Sequence, residues 1–457
     1  MRILLVIHGF PPAATGGTEI YVHDLARRLA QRAGDQVFLL ARESRQDRPD
    51  MSVRQDDLDG LHVTYVNNTF SASSSFAQTY RNDAIRCIAS RLLDEISPDV
   101  AHVHHLTGLT TDLVAELSDR AIPVVFTLND YWLLCQRGQL LDLELQRCAG
   151  PHLQGCARCL HLTGSASWKE RTAERLWRLR PHVPEPWREP LRRAACVAAA
   201  AARNEVATGA IDERLRHVRS ILEGVDRFLA PSRTLCDHFV AFGIPPERIS
   251  IAEQGIEHAP FRDLRRTPGD RLRVGFIGSL VVSKAPHLLL EAVAGLPEGS
   301  CEVHVYGAYA PYHGDDGYRE PLARLLSRAF VTHSGVVPHQ AVAAALAAID
   351  VLVVPSVWIE NAPFVIREAF LAGVPVVASD LGGMAEMVTH ETDGLLFPAG
   401  HVGALRRALR RLCEEPALLR RLQQGIRPVK SMEQDALETR ARYEELAIRR
   451  RAAARPA

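Results

Sequence analysis

The chain has 457 residues, of which 47% are apolar and 24% charged, and its 54 basic and 54 acidic residues give a formal net charge of zero. This length is too great for one hydrophobic core and suits two domains. The balanced charge offers no global attraction to nucleic acid, so a nucleic-acid partner is not expected. The first apolar run is too short for a signal peptide and no run reaches the length of a membrane span, which predicts a cytoplasmic protein.

Apolar segments of strand length alternate with helical patterns along the first half of the chain. The strand-like segments lie at 2–8, 36–42, 63–66, 99–105, 123–130 and 227–232. A periodic helical pattern follows the first of them, and further helices are predicted near 76–95 and after residue 105. Uniformly apolar strands separated by helices are typical of a parallel sheet that is covered on both faces.

A second series of the same kind follows. Its predicted strands are 271–278, "CEVHVYG", "AFVTHSG", 351–356, 375–380 and "GLLFP". Two such series predict an α/β fold made of two Rossmann-like, doubly wound domains. The periodic pattern is lost near 255–270, where turn residues and charges take over.

These patterns set the predicted domain boundaries. The first domain covers 1–257, the second covers 258–430, and a helical segment at 431–457 ends the chain. A helical and cysteine-containing insertion at about 131–225 interrupts the first domain, and it contains Trp168, Trp177 and Trp187. A helical cap over the sheet edge is the simpler interpretation of this insertion, and a membrane-surface face is the alternative.

The strongest functional pattern follows the predicted strand at 351–356. Ligands of open parallel sheets bind beyond the carboxyl ends of the strands, so Glu360 lies in a loop that faces the ligand. A helix is predicted from about Ala362 to Leu371, with Pro363 in its first turn. The unpaired N–H groups of that turn and the helix dipole together form an anion site. The residues predicted to bind the ligand here are Asn361, Ala362, Pro363, Phe364 and Val365.

Two carboxylates flank this anion site. Glu360 precedes the helix and Glu368 lies two turns inside it, so each can accept hydrogen bonds from hydroxyl groups beside a bound phosphate. One anion with polyols on both sides describes a sugar nucleotide. Acidic residues are common near helix starts, so a chance pair of surface glutamates is the alternative.

Two glycine loops lie at other predicted strand ends. Gly278 and Ser279 open a loop that leads to Lys284, whose ammonium can neutralise a pyrophosphate. Lysine is rare in this chain, which favours a functional Lys284 over a merely solvated one. Gly16 and Gly17 form the second loop, which has neither the GxGxxG pattern nor the P-loop lysine.

Three segments together resemble the retaining GT-B glycosyltransferases of family 4: "PPAATGGTEIYVHDLARRLA", "GSLVVSKAPHLLLEA" and "PSVWIENAPFVIREAFLAGVPVVASDLGGMAEMV". The E-x7-E pattern is the most diagnostic part, and the likeness covers nearly the whole chain. It implies a GT-B fold with the active site in an interdomain cleft. It also implies a UDP-, GDP- or dTDP-sugar donor on the second domain, an acceptor mainly on the first, and a final helix that crosses back to the first.

The resemblance also implies roles for individual residues. Glu360 would face the donor sugar and Glu368 the ribose, while Lys284 would contact the diphosphate and Gly17 would lie near the donor phosphate. No Asp-x-Asp motif follows a predicted strand, so no catalytic metal is expected.

The sequence departs from the family pattern at two positions. Ser279 stands where the family usually has an arginine, and Asn129 where it often has a histidine. Asn129 can still hydrogen-bond a donor sugar. His104 and His105, at the end of a predicted strand, are close enough in the topology to compensate, although either can equally be a structural histidine. Asp130 and Tyr131 are further cleft candidates.

The prediction is therefore a retaining transferase that moves a hexose-type sugar from a nucleotide sugar to an acceptor, with no other cofactor. Glu360, Lys284, Asn129 and His105 are its catalytic candidates. The acceptor is expected to be a glycan, a lipid-linked intermediate or a small molecule, and peripheral contact with the inner face of the plasma membrane is left open. The alternatives are a pseudoenzyme that binds a nucleotide sugar, and an epimerase or phosphorylase on the same fold.

Four of the nine cysteines are clustered in the sequence: Cys135, Cys148, Cys156 and Cys159. A CxxC pair with two outlying cysteines can hold a structural zinc ion. Only one half of the cluster has the close spacing, so free thiols in a long loop are the alternative.

Overall fold

The computed structural model describes residues 1–159, 204–266 and 269–453. For residues 204–207 and 451–453 it describes the backbone alone. Trp168, Trp177 and Trp187 of the predicted insertion lie outside the described residues. Two parallel-stranded sheets follow one another along the chain, and each is packed between helices.

The first sheet contains eight strands in the order β3-β4-β2-β1-β5-β6-β7-β8. They are β1 Arg2–Ile7, β2 Gln36–Glu43, β3 Val53–Leu58, β4 Leu61–Asn67, β5 Val100–Val103, β6 Val124–Thr127, β7 Arg227–Ala230 and β8 Ile249–Ile251. All neighbouring strands are parallel except β3 and β4, which form a hairpin. The part of the chain that builds this sheet is called the N-terminal domain below.

The second sheet contains six parallel strands in the order β11-β10-β9-β12-β13-β14. They are β9 Leu272–Ile277, β10 Cys301–Tyr306, β11 Val331–His333, β12 Val351–Val354, β13 Val376–Ser379 and β14 Gly394–Phe397. Numbered within the sheet, this order is 3-2-1-4-5-6, the doubly wound arrangement that places a ligand crevice where the order reverses, between β9 and β12. The part of the chain that builds it is called the C-terminal domain.

The helices cover both faces of each sheet. In the N-terminal part they are α1 Gly17–Ala30, α2 Asp83–Ile96, α3 Leu113–Asp119, α4 Leu153–Cys159, α5 Asn204–Glu223 and α6 Arg233–Phe242. The later ones are α7 Pro286–Val293, α8 Arg319–Leu326, α9 Val342–Ala347, α10 Phe364–Leu371, α11 Gly382–Met387, α12 Val402–Glu414, α13 Pro416–Gln424 and α14 Met432–Ala453.

The strand interiors explain this architecture. Every residue of β5, β6, β12 and β13 is buried, as expected for strands that carry helices on both faces. Each sheet has two apolar cores, one on each face. The prediction of two doubly wound α/β units is confirmed.

Two edge strands escaped the sequence analysis. β3 is largely exposed and polar, so it lacks the apolar run by which the other strands were recognised. The turn between β3 and β4 does have a sequence signal, since Asp59-Gly60 is a dipeptide favoured in two-residue hairpins. Both residues have positive φ, as such a turn requires. β8 has only three residues, which is too short for a periodic signal.

The start of α10 differs from the prediction. Pro363 is the N-cap, with φ −61° and ψ 121°, and the helix begins at Phe364. Pro363 thus precedes the first turn instead of lying inside it. The Ile366 N–H donates to the carbonyl of Pro363 at 3.1 Å. The N–H groups of Phe364 and Val365 have no carbonyl of the helix to which they can donate.

The last helix, α14, packs against α1 and β5 of the N-terminal domain. Asp435 in its first turn is buried and accepts hydrogen bonds from Tyr21 Oη and Gly255 N–H, both at 2.9 Å. The Lys430 ammonium, 2.8 Å from Asp435, neutralises this carboxylate. The buried Lys430–Asp435 pair, with Glu438 also 2.8 Å from the ammonium, therefore ties α14, α1 and the connection between the sheets together.

Replacing Lys430 with methionine should lower the free energy of unfolding by about 2–4 kcal/mol, because it leaves Asp435 charged and buried without its cation. Urea denaturation followed by circular dichroism measures this change. As a control, Arg324→Met removes the exposed partner of Glu320 and should cost under about 0.5 kcal/mol. Equal effects of the two substitutions would contradict the role assigned to the buried pair.

Candidate active site

The N-termini of α1 and α10 meet between the two sheets. The ring of Phe364, the first residue of α10, stacks on Tyr21 of α1 with 5.7 Å between ring centroids. A Cβ at Gly17 would lie 2.8 Å from Phe364 Cδ2, so the absence of a side chain there allows this close approach. Gly16 is the N-cap of α1, one residue before the helix begins. The first glycine loop and the predicted anion site therefore lie side by side in the structure.

Asn361 joins the two domains directly. Its side-chain amide donates to the carbonyls of Leu128 and Asn129, both at 3.2 Å, and its Oδ1 accepts from Ser232 Oγ at 2.8 Å. All of these partners follow strands β6 and β7 of the N-terminal domain. The side chain of Asn361 thus serves the domain contact, and only its backbone is available to a ligand.

A second contact between the domains joins α11 to the start of α6. The Glu386 carboxylate of α11 accepts from the N–H groups of Arg233 and Thr234, both at 2.7 Å, and from the Thr234 hydroxyl. Arg233 and Thr234 open α6, so the carboxylate satisfies donors that the helix itself cannot.

Glu360 lies at the centre of this junction and is only 4% exposed. Its Oε1 accepts from Lys284 Nζ at 2.9 Å and from Ser356 Oγ at 2.7 Å. No described residue donates to its Oε2. The carboxylate is therefore held by a cation and a hydroxyl on one oxygen and has its second oxygen free for a donor such as a sugar hydroxyl.

The loop that carries Glu360 rests on Gly382 and Gly383, the first two residues of α11. Gly383 N–H bonds the Glu360 carbonyl at 2.8 Å, and a Cβ at Gly383 would overlap the carbonyl of Asn361. The absence of a side chain at Gly383 therefore allows the Glu360 loop to approach the backbone of α11 closely. Trp358, two residues earlier, is buried in the core of the N-terminal domain and fixes the other end of the loop.

Lys284 reaches Glu360 from the neighbouring loop after β9. It ends a 3₁₀ turn, and its side chain is 30% exposed, so its ammonium is open to the cleft. Gly278 has φ +149°. Its carbonyl lies so close to Gly307 that a Cβ on Gly307 would overlap the carbonyl oxygen. Ser279 is exposed, at the position where the resemblance places an arginine in relatives.

Glu368 lies inside α10 with its side chain 10% exposed. Burial raises the pKa of this carboxyl to about 7. His339 Nδ1 lies 3.8 Å from Glu368 Oε1, and burial lowers the pKa of His339, which favours its neutral form. Glu368 therefore changes between a hydrogen-bond donor and a pure acceptor near neutral pH.

Asn129 has little hydrogen-bonding capacity left for a ligand. Its Nδ2 donates to the carbonyls of His104 and Thr127 at 2.9 and 3.3 Å, and its Oδ1 accepts from Gln254 at 3.0 Å. These bonds tie β5, β6 and the connection between the sheets together. The predicted contact of this side chain with a donor sugar stays a prediction, and the observed bonds are structural.

His105 belongs to a chain of titratable groups on the N-terminal side of the cleft. Its Nδ1 accepts from Thr107 N–H at 3.0 Å, so in the neutral ring the proton lies on Nε2, which donates to Asp130 Oδ2 at 3.0 Å. The His8 ring stacks 4.2 Å from His105, and His8 Nε2 is 3.2 Å from Glu19 Oε1. Burial and the neighbouring His105 hold the pKa of His8 well below its usual range.

His104 points away from this chain of groups. It is fully buried, neither of its ring nitrogens has a hydrogen-bond partner among the described residues, and burial lowers its pKa to about 3. It remains neutral at physiological pH and packs 3.9 Å from the ring of His102. Of the two candidate histidines, only His105 faces the cleft.

Three cleft residues were missed from the sequence: His8, Glu19 and His339. His8 directly follows β1, so the rule that selected the other strand-end loops also applied to it. Glu19 lies in the first turn of α1, where acidic residues are common for helical reasons alone. His339 lies in a loop without any recognisable motif, and only the fold brings it near Glu368.

The clustered cysteines are free thiols, and Cys135, Cys156 and Cys159 are buried. Burial raises the pKa of Cys159 to about 11, so without a bound cation this thiol is protonated at neutral pH. Within residues 1–159, 204–266 and 269–453, no group of three or more His, Cys, Asp or Glu is placed to hold a metal ion. In this part of the chain the structure favours free thiols over the zinc alternative.

No helix in the described part of the chain combines the length and the apolar character needed to cross a bilayer. This finding concerns spanning helices alone.

Comparison with known proteins agrees with the geometry. The family model described as Glycosyltransferase Family 4 matches residues 15–259, and the model described as Glycosyl transferases group 1 matches 271–415. D-inositol 3-phosphate glycosyltransferase of Streptomyces bingchenggensis is 29% identical over 311 residues, which cover 62% of this chain and 67% of that protein. The amylovoran biosynthesis glycosyltransferase AmsK of Erwinia amylovora is 28% identical over 42% of this chain, a match that spans about half of its own length (49%).

A solved structure supports the same assignment at the level of fold. HepE of Anabaena, determined in complex with UDP and glucose, aligns over 97% of this chain and 100% of its own, with a TM-score of 0.62 and 15% identity. This likeness confirms the predicted GT-B fold. Since one family model matches more than half of the chain and a second matches most of the rest, the protein belongs to Glycosyltransferase Family 4.

Proposed function

We propose that this glycosyltransferase moves a hexose from a nucleoside diphosphate sugar to an acceptor, with retention of the anomeric configuration. The observation that carries the proposal is the position of Glu360. Its carboxylate is buried against Lys284 and Ser356, its Oε2 is free, and the unpaired N–H groups of α10 begin four residues later. An anion and a sugar can be held side by side at this point.

The donor diphosphate is assigned to the N-terminus of α10. The amides of Phe364 and Val365 and the helix dipole favour negative charge there, and Lys284 is close enough to Glu360 to serve both groups. As the glycosidic bond to phosphate breaks, charge accumulates on the leaving diphosphate, and these preorganised donors stabilise it. Gly17 supports the assignment because it leaves space beside Phe364.

The two ends of the donor are assigned to the two carboxylates. Glu360 Oε2 accepts from a hydroxyl of the transferred sugar, and Glu368 accepts from the ribose. HepE, which shares the fold, was solved with UDP and glucose, and this supports a nucleotide-sugar donor here. The acceptor hydroxyl approaches from the N-terminal domain, where His105 and Asp130 line the cleft, and the leaving phosphate takes its proton.

The acceptor candidates belong to more than one chemical class. The matching relatives bear names that refer to D-inositol 3-phosphate and to amylovoran biosynthesis, and these names do not single out one acceptor class for this chain. A glycan, a lipid-linked intermediate and a small molecule are therefore all retained as acceptor candidates.

Replacing Glu360 with glutamine should lower sugar transfer roughly 100-fold, because Lys284 loses its counter-charge and the sugar loses a charged acceptor. Release of nucleoside diphosphate from a panel of UDP-, GDP- and dTDP-hexoses measures transfer. UDP affinity should change by less than about tenfold, since the α10 amides remain. Glu320→Gln, which alters an exposed glutamate on α8, is the matched control.

Wild-type turnover by the Glu360→Gln variant would contradict the role of Glu360. A wild-type protein that binds donors and never releases nucleoside diphosphate, with any acceptor, would instead favour the pseudoenzyme alternative.

Donor affinity should also depend on Glu368 and on pH. Its pKa of about 7 lies above the ordinary glutamate value of 4.5, so the carboxylate that accepts from ribose forms as the pH rises through 7. UDP should bind wild type more tightly than Glu368→Gln at pH 8, and the difference should vanish as the pH falls to 6. Calorimetry measures both proteins, and titration of the UDP phosphate cancels in the comparison. A difference that is constant from pH 6 to 8 would count against this role.

A further inference from the structure

Arg42 is a partly buried cation on the N-terminal side of the cleft, without an ion-pair partner among the described residues. It lies next to the last residue of β2, and burial lowers the pKa of its guanidinium, which still remains charged. No carboxylate of the described residues lies within 4 Å of its guanidinium. The folded chain therefore does not pair this charge, and an anionic ligand can supply the missing partner.

The surrounding loops hold this guanidinium in a fixed position. Its Nε donates to the carbonyl of Asn68 at 2.8 Å, and its Cζ lies 4.9 Å from the centroid of the Phe70 ring. Gly108 lies against the side chain so closely that a Cβ there would collide with it. Asn68 also donates to the Gly108 carbonyl at 2.9 Å, which joins the loops that follow β4 and β5.

Only one side of the guanidinium is left for binding. The Nε atom is bonded to the Asn68 carbonyl, and the Phe70 ring covers one face of the guanidinium plane. Neither terminal nitrogen has a hydrogen-bond partner among the described residues. Both terminal nitrogens contact solvent. This arrangement presents the forked pair of donors that arginine uses for phosphate and carboxylate groups.

The fork lies among the groups that line the acceptor side of the cleft. The β2 strand pairs with β1, whose end carries His8, and the positive charge of Arg42 is one of the causes that lower the pKa of His8. The His8 ring in turn packs against His105. Asp50 is the nearest source of negative charge, and its two oxygens are already occupied by the N–H groups of Thr69 and Ala72 and by nearby hydroxyls.

We propose that Arg42 binds an anionic group, a phosphate or a carboxylate, on the acceptor sugar. The acceptor is thus a phosphorylated or acidic saccharide, not a neutral one. This inference rests on the proposed function, since it takes the N-terminal side of the cleft as the acceptor side.

The test is calorimetric binding to the full chain saturated with UDP, so that the donor site cannot take up the anion. The probes are glucose, glucose 6-phosphate, glucuronate, and glucose linked to polyprenyl diphosphate in detergent micelles. At least one anionic probe should bind roughly 10- to 100-fold more tightly than glucose, the gain expected of a charged hydrogen-bonded pair. The probe that binds best separates soluble phosphate, carboxylate and lipid-linked diphosphate.

Variants assign the effect to the residue. Arg42→Gln should remove the preference for the anionic probe and leave UDP affinity unchanged, and Arg42→Lys should retain part of it, because lysine keeps the charge without the fork. Arg45→Gln, which alters an exposed arginine paired with Asp47, is the matched control and should behave as wild type.

Equal binding of all four probes by wild type would overturn the inference, and this comparison holds even if a variant fails to fold. A preference that survives in a folded Arg42→Gln protein would overturn it as well. Failure of wild type to bind UDP or any nucleotide sugar would instead contradict the proposed function, so the two failures are distinguishable.

Discussion

The ion pair between Lys284 and Glu360 is the interaction on which the rest of the candidate site depends. Glu360 is 4% exposed, and a carboxylate buried to that extent needs a cation and hydrogen-bond donors. Lys284 and Ser356 provide them from the loops after β9 and β12. These are the two strands between which the order of the second sheet reverses, so the pair forms at the crevice where doubly wound sheets bind ligands.

The same loop also sets the relation between the two domains. Trp358 is buried in the core of the N-terminal domain, and Asn361 bonds the backbone after β6. A residue on either side of Glu360 is therefore anchored in the opposite domain. The consequence is that the position of the carboxylate and the closure of the cleft are coupled, because a movement of one domain displaces the loop that carries Glu360.

The opposite wall of the cleft has a different electrostatic character. It contains neutral His8, the His105–Asp130 pair and the cation of Arg42, in place of the amides and lysine of the donor side. The α10 amides are suited to a diphosphate, whereas the fork of Arg42 is suited to a single planar or tetrahedral anion. If both proposals hold, the two walls carry anion sites of unlike construction, which would keep donor and acceptor from exchanging places.

The strand and helix pattern predicted most of the fold because the parallel strands are buried on both faces and so are uniformly apolar. The same rule located the loops of Lys284 and Glu360, since it requires only the order of strands along the chain. It could not reveal that these residues pair with each other, because they are 76 positions apart and meet only through the sheet order. Arg42 gave no signal because a charged residue near the end of a strand is ordinary. The bonds that occupy Asn129 and Asn361 come from the other domain or from distant loops.

A crystal structure of the protein with a bound UDP-hexose tests the central claim most directly. The account predicts the diphosphate oxygens within hydrogen-bond distance of Phe364 and Val365 N–H and of Lys284 Nζ, with a hexose hydroxyl on Glu360 Oε2. A UDP-hexose bound elsewhere, or bound in the cleft with Glu360 still sealed away from the sugar, would contradict it.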